Sequence, residues 1–182
     1  MGSCCENNCA VDALHNKQRG TLVKVLWINA IMFLAIVAAA IYGKSTALLS
    51  DSLDNLGDAL TYGLSLYAVS KGTSTKARVA LFKGSLIFLA ACIVIAQVVY
   101  RLTYPVTPSY EIMSIFSVAG LVANGFCLYL LWQHRHEDIN MSSVFECSRN
   151  DIASNLSVIL AAIGVWIFNS GIPDIIIATL LA

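Results

Sequence analysis

The chain has 182 residues, 58% of them hydrophobic and only 12% charged, with 11 basic and 11 acidic side chains and a mean hydropathy of +0.73. A soluble domain carries about 25% charged residues, so these figures set aside an ordinary soluble fold and indicate an integral membrane protein. The balanced charge, with no basic patch interleaved with aromatics, also argues against a nucleic-acid partner.

Residues 1–20 read as a cytoplasmic N-terminal tail, and 21–182 as a transmembrane domain. The tail, MGSCCENNCAVDALHNKQRG, has no apolar core of the kind a signal peptide needs. Myristoylation after Met-Gly usually wants Ser or Thr at position 6, where Glu6 stands. Its thiols, Cys4, Cys5 and Cys9, are either a capture site for soft metal ions or incidental residues of a disordered segment. With Cys92, Cys127 and Cys147 in apolar stretches, reduced thiols fit better than a disulfide framework. Cys92 and Cys127 read as packing residues, and His15 as an exposed polar one.

Apolar stretches follow at 22–43, 46–69, 79–101, 112–132 and 144–168. Each has about the 20 residues that cross ~30 Å of hydrocarbon, and lipid offers the backbone no partners, so each is expected to be a helix. Short connections, 43-GKST-46, 71-KGTSTKAR-78, 102-LTYPVTPSYE-111 and 133-QHRHEDINMS-142, predict antiparallel neighbours in one bundle. In the last of these, His134 and His136 within 134-HRHED-138 suggest either a metal relay or a solvated loop. A sixth stretch starts near Ile172 and offers about 17 Å of helix before Ala182 at 1.5 Å per residue. The expected fold is therefore an all-α, six-helix bundle whose last helix is incomplete here, with truncation the favoured reason.

Orientation follows from the basic residues at the helix ends. An N-terminus inside places Lys17, Arg19, Lys24, Lys71, Lys76, Arg78, Lys83 and Arg135 in the cytoplasm and leaves only Lys44 and Arg101 opposite. Tyr100 with Tyr104, and Trp27 with Trp132, read as interfacial anchors.

Against this apolar background the stretch 50-SDSLDNLGDALTYG-63 carries Asp51, Asp54 and Asp58. Asp54 and Asp58 are four residues apart, on one face of the second helix, roughly 13 and 19 Å from its outer end. The fifth helix repeats the spacing with Cys147 and Asp151. If the two helices touch, three carboxylates and a thiol converge near the bilayer centre. Four such ligands suit a tetrahedral transition-metal site. Oxygen alone would favour magnesium or calcium, and the thiolate shifts preference to zinc, cadmium or cobalt. An ion offsets the cost of burying these acids, and binding linked to proton release makes a natural exchanger.

The alternative is structural: buried acids paired with a base such as Arg149 or Lys83. Asp51 reads as an outer-vestibule residue, a proton acceptor or a helix-end contact. Asn155 and Asn124 either support the site and its pathway or make interhelical hydrogen bonds. Arg149 is expected to point away from the metal and to neutralise Glu146 or Asp51.

The run 46-TALLSDSLDNLGDAL-60 resembles the second-helix signature of the cation diffusion facilitator family, an Asp or His followed four residues later by Asp. The run 147-CSRNDIASNLSVILAA-162 is similar to its fifth-helix signature, usually His and then Asp. The likeness extends from about Val11 onward and includes Pro173-Asp174 opening the last helix. It implies a homodimeric exporter of zinc, cadmium or cobalt, driven by inward protons through alternating access, with no prosthetic group. By position it assigns the metal to Asp54, Asp58, Cys147 and Asp151. Cys147 departs from the usual His, and the family's C-terminal cytoplasmic domain has no counterpart in these residues. The tail thiols and 148-SRND-151 look most like a bacterial cobalt/zinc/cadmium subgroup, which implies an inner-membrane location. Two competing readings are a non-transporting interaction subunit with structural acids and a membrane enzyme using Cys147 as nucleophile. All three histidines lie outside the helical core, so the enzyme lacks a base and a non-enzymatic role is expected.

Overall fold

The computed structural model of the chain describes residues 3–68, 73–133 and 139–181, with side chains from Arg19 onward except at 65, 67–68, 73–80, 83, 87 and 139–144. Every element among them is a helix: α1 (Ser3–Gly43), α2 (Thr46–Ala68), α3 (Thr73–Thr103), α4 (Tyr110–Trp132), α5 (Ile139–Phe168) and α6 (Ile172–Leu181). The all-α bundle expected from the apolar periodicity is what forms. Three boundaries differ from expectation. The cysteine-bearing tail continues α1 as helical backbone from Ser3, α3 starts inside the 71–78 connection, and α5 starts inside the 133–142 connection. None of those three extensions contains a proline, and 73–78 ends in the good helix formers Lys76, Ala77 and Arg78.

Among the described residues, four helical stretches are long and apolar enough to cross a membrane: Arg19–Gly43, Gly84–Thr103, Tyr110–Trp132 and Phe145–Phe168. α2 has 23 residues, a sufficient length, but carries the three aspartates. Its position explains how it tolerates them. α2 packs against α1, α3, α5 and α6, and so lies inside the bundle rather than on its rim. The rim is apolar. Trp27, Leu34, Ile41, Phe88, Val122, Tyr129, Leu160 and Trp166 are all exposed, while Asn29, Asp51, Asn55, Ser117, Asn124 and Asn155 are buried. Inverting the soluble pattern in this way is what a hydrocarbon solvent selects. Trp132 meets Phe145 edge-on at 5.7 Å, and the Tyr100 and Tyr104 rings lie 5.0 Å apart.

The interior is layered. Near one end, Val25, Tyr62, Cys127 and Leu131 form an apolar cluster flanked by Phe145. Near the other, Ile36, Leu48, Met113, Val158 and Val165 form a second, larger one. Between them the core-facing stripes of four helices turn polar: Asn29 on α1, Asp51, Asn55 and Asp58 on α2, Ser117 and Asn124 on α4, Asp151 and Asn155 on α5. The register follows from i, i+3/i+4 spacing on each helix.

The turns fix the far end. α1 closes with Lys44 in the left-handed region (φ 54) while the Ser45 amide donates to the Ala40 carbonyl at 3.0 Å. α5 ends similarly at Asn169 (φ 46). Ser109 caps α4 by accepting from the Ile112 amide, and its own amide donates to the Gly43 carbonyl at 2.9 Å. A further cap comes from a distant helix. Asp174, in the first turn of α6, accepts from the Ser45 hydroxyl at 2.6 Å and from the Thr46 and Ala47 amides at 2.8 and 3.1 Å. A helix-end contact, one of the three readings of Asp51, is therefore not its role. That role belongs to Asp174, and Asp51 lies more than one turn inside α2, fully buried.

Candidate cation site

α2 and α5 pack side by side, and a cavity of about 280 Å³ opens between them. Leu53, Asp54, Gly57, Asp58 and Thr61 line it from α2, and Cys147, Asn150, Asp151 and Ser154 from α5. Both pairs singled out from spacing therefore face one space. Asp58 and Asp151 are nearly fully buried, at 6% and 5% exposure. Their carboxyl groups stand within hydrogen-bonding reach of each other. Two carboxyls at that range persist only with a proton or a cation between them.

The remaining contacts orient this pair. The Tyr62 hydroxyl donates to Asp58 Oδ2 and lies 3.3 Å from Ser148 Oγ. Tyr62 is itself fully buried, so it holds one carboxylate oxygen and leaves the other directed elsewhere. Ser154 hydrogen-bonds the Asp54 carboxylate across the helix interface, and Asp151 Oδ2 has no partner. Cys147 is half-buried on the cavity wall. Among the described residues, no three His, Cys, Asp or Glu side chains are already gathered around a single point. The quartet shares a cavity of ample size, and closing it on one ion needs side-chain rotation within that cavity.

Several expectations resolve differently. Asp51 is not on the cavity; it faces the bundle core behind it, and neither of its oxygens has a partner. Asn155 makes no interhelical hydrogen bond. Its Nδ2 donates to the Asp151 carbonyl at 2.7 Å, one turn back on its own helix. Asn124 has no hydrogen-bond partner on either amide atom. Asn155, which reaches its own helix, satisfies its donor locally, and this removes the motive for a bond across the interface. Arg149 pairs with Glu146 at 2.7 Å on the exposed side of α5, away from the cavity. Cys92 and Cys127 carry no disulfide. His134 and His136 lie outside the described residues, as do the side chains of Cys4, Cys5 and Cys9.

Sequence reasoning missed Tyr62, Ser148, Ser154, Asn150 and Thr61. The signal was present: Tyr62 follows Asp58 by four residues, and Ser154 follows Asp151 by three, each one turn along the same helix.

Gly120 sets how closely α4 approaches this region. A Cβ built there would lie 2.1 Å from Asn155 Oδ1, closer than any real contact. Asn155 is fully buried, so its amide has little room to retreat. Gly120→Ala is expected to destabilise the detergent-solubilised protein by about 1–3 kcal/mol, the usual cost of overpacking a tight core. Thermal unfolding checks this, and an unchanged midpoint would show that α4 and α5 are more loosely packed than described.

Compared with protein families, residues 22–182 match the cation efflux transmembrane domain. Compared with individual curated proteins, the chain has no significant match.

Proposed function

The chain belongs to the cation efflux family, whose members are membrane transporters of metal cations, and on that premise we propose that it exports a divalent transition metal from the cytosol in exchange for protons. Zinc is the favoured cargo, with cadmium and cobalt next. The observation that carries this reading is the single cavity lined by Asp54 and Asp58 from α2 and by Cys147 and Asp151 from α5.

The exchange follows from mutual exclusion. Asp58 and Asp151 stand close enough to share a proton, and a divalent ion bound between them takes that place. Loading with metal therefore releases protons, and protonation from the opposite side releases metal. Tyr62 keeps Asp58 aimed while this happens, and Ser154 restrains Asp54 until a metal draws it in. With the N-terminus in the cytoplasm, as the basic residues indicate, the apolar clusters on either side of the polar layer act as the two barriers. Rocking α2 and α5 against their neighbours opens one barrier at a time. Two copies of the chain form the transporting unit, in a bacterial inner membrane, and no prosthetic group or covalent step is involved.

The test is uptake into proteoliposomes under an imposed pH gradient, with zinc, cadmium, cobalt and manganese side by side. Gradient-dependent accumulation of the softer ions, with little manganese, is the expected result. Binding without accumulation would favour the non-transporting subunit instead. The thiol makes a finer prediction. Cys147→Ser replaces sulfur with a harder oxygen, and should weaken cadmium about tenfold or more relative to manganese. Equal losses for both would remove Cys147 from the coordination shell.

A further inference from the structure

A second cavity, of about 230 Å³, opens at the far end of the bundle, where α1 turns into α2. Ala40 and Ile41 line it from the end of α1, Ser45 and Leu49 from the start of α2, and Gln97 and Arg101 from the last two turns of α3. It shares no lining residue with the cavity between α2 and α5. Helices α1 and α3 each pack against α2, so they wall a groove whose floor is the start of α2. Ser45 is buried and Ile41 largely exposed, so the groove runs from the interior to the apolar rim.

Arg101 is the charged residue of this lining. Its Nε–H is buried and has no hydrogen-bond partner. Asp174 lies within electrostatic range, but its carboxylate already accepts from the Ser45 hydroxyl and from the Thr46 and Ala47 amides. Ser45 is spent as well, since its oxygen accepts from the Leu48 amide at 3.0 Å. Leaving a cationic donor unpaired costs more than leaving a neutral one, so the groove favours an anion and repels the metal cargo. Its level is set by Tyr100 and Tyr104, exposed and 5.0 Å apart between ring centres. Aromatic pairs of this kind mark the depth at which lipid headgroups begin.

We propose that this groove binds the phosphate of an anionic phospholipid. The Arg101 guanidinium pairs with a phosphate oxygen, the geometry at which arginine excels, and the Gln97 amide donates a second hydrogen bond. The glycerol and upper acyl chain lie against Ile41, Ala40 and Leu49. A water occupies about 30 Å³ of liquid volume, so the space exceeds a hydration site and suits a headgroup. The bound lipid ties α1 to α3 across the start of α2, beside the Asp174 cap. None of this depends on which ion the α2–α5 cavity takes.

The experiment is thermal unfolding of the purified full chain in dodecyl maltoside, at constant ionic strength, with increasing dioleoyl phosphatidylglycerol, dioleoylglycerol or sodium phosphate. A ligand that binds only the folded state raises the midpoint with the logarithm of its concentration. The expected result is a rise of several degrees for phosphatidylglycerol alone. It should fall by about half or more in Arg101→Gln and in Gln97→Leu. It should persist in Arg149→Gln, which removes an exposed cation paired with Glu146 elsewhere. An equal rise with dioleoylglycerol would overturn the proposal by assigning the effect to acyl chains, and an equal rise with sodium phosphate by assigning it to a free anion. Neither comparison needs a variant. No rise in wild-type protein, or a phosphatidylglycerol effect unchanged in Arg101→Gln and Gln97→Leu, would overturn it equally.

Discussion

Asp58→Ala and Asp151→Ala should each reduce metal-dependent flux in proteoliposomes to the protein-free background, a loss of ~100-fold or more. The two carboxyls meet across the α2–α5 interface, nearly fully buried, and each offers the cargo an oxygen and a charge. Removing either leaves the other as an isolated acid in a low-dielectric interior, unable to balance a divalent ion. Losses that affect even supporting groups at metal sites are about 10- to 100-fold, so a direct ligand should exceed them. Asp58→Asn and Asp151→Asn preserve shape and hydrogen bonding and should fail as completely, which separates charge from packing. Membrane insertion and size-exclusion behaviour should stay unchanged. Normal flux in either alanine variant would remove both residues from the mechanism.

The second large effect is on stability. Asp174→Ala should destabilise the bundle by about 2–4 kcal/mol, with a fall in unfolding midpoint on the order of 10 °C. Asp174 is buried, at 2% exposure, and its carboxylate accepts from the Ser45 hydroxyl and from the first two amides of α2. It caps a helix to which it is linked only through space, at the positive end of the α2 dipole. The Arg101 guanidinium lies within electrostatic range on the other side. Deletion leaves the Thr46 and Ala47 amides without their acceptor inside the protein and frees α6 from α2. Asp174→Asn keeps one acceptor oxygen and should recover part of the loss. An unchanged midpoint in Asp174→Ala would mean that water caps α2 just as well.

The main features of the cavity were legible because helical spacing carries them. Asp54 with Asp58 and Cys147 with Asp151 are each four apart, and a bundle with short connections brings such pairs together. Their matching depth could be read by counting residues from the helix ends. What spacing does not carry is the partner helix. Nothing local to Asp174 says that it will cap α2, 128 residues earlier in the chain. Asp51 shows the same limit. Its place one turn from Asp54 suggested an outer-vestibule residue, a proton acceptor or a helix-end contact, yet a shift of three residues rotates a side chain by about 300°, and α2 buries it in the bundle core. For Asn155 the miss was energetic. An acceptor one turn back on the same helix, the Asp151 carbonyl, satisfied its amide nitrogen before any neighbour could. The N-terminal extension of α1 was hidden for another reason: polar composition suggests disorder, and a long helix already nucleated at residues 22–43 propagates outward at little cost.

Cobalt(II) titration followed by absorption spectroscopy bears most directly on the central claim that one cavity between α2 and α5 takes a divalent transition metal. Wild-type protein should develop the intense visible bands of tetrahedral cobalt together with a near-ultraviolet thiolate band. Cys147→Ser should lose the thiolate band alone, and Asp58→Asn and Asp151→Asn should lose both. Spectra and affinities that are the same in wild-type protein and in all three variants would contradict the account.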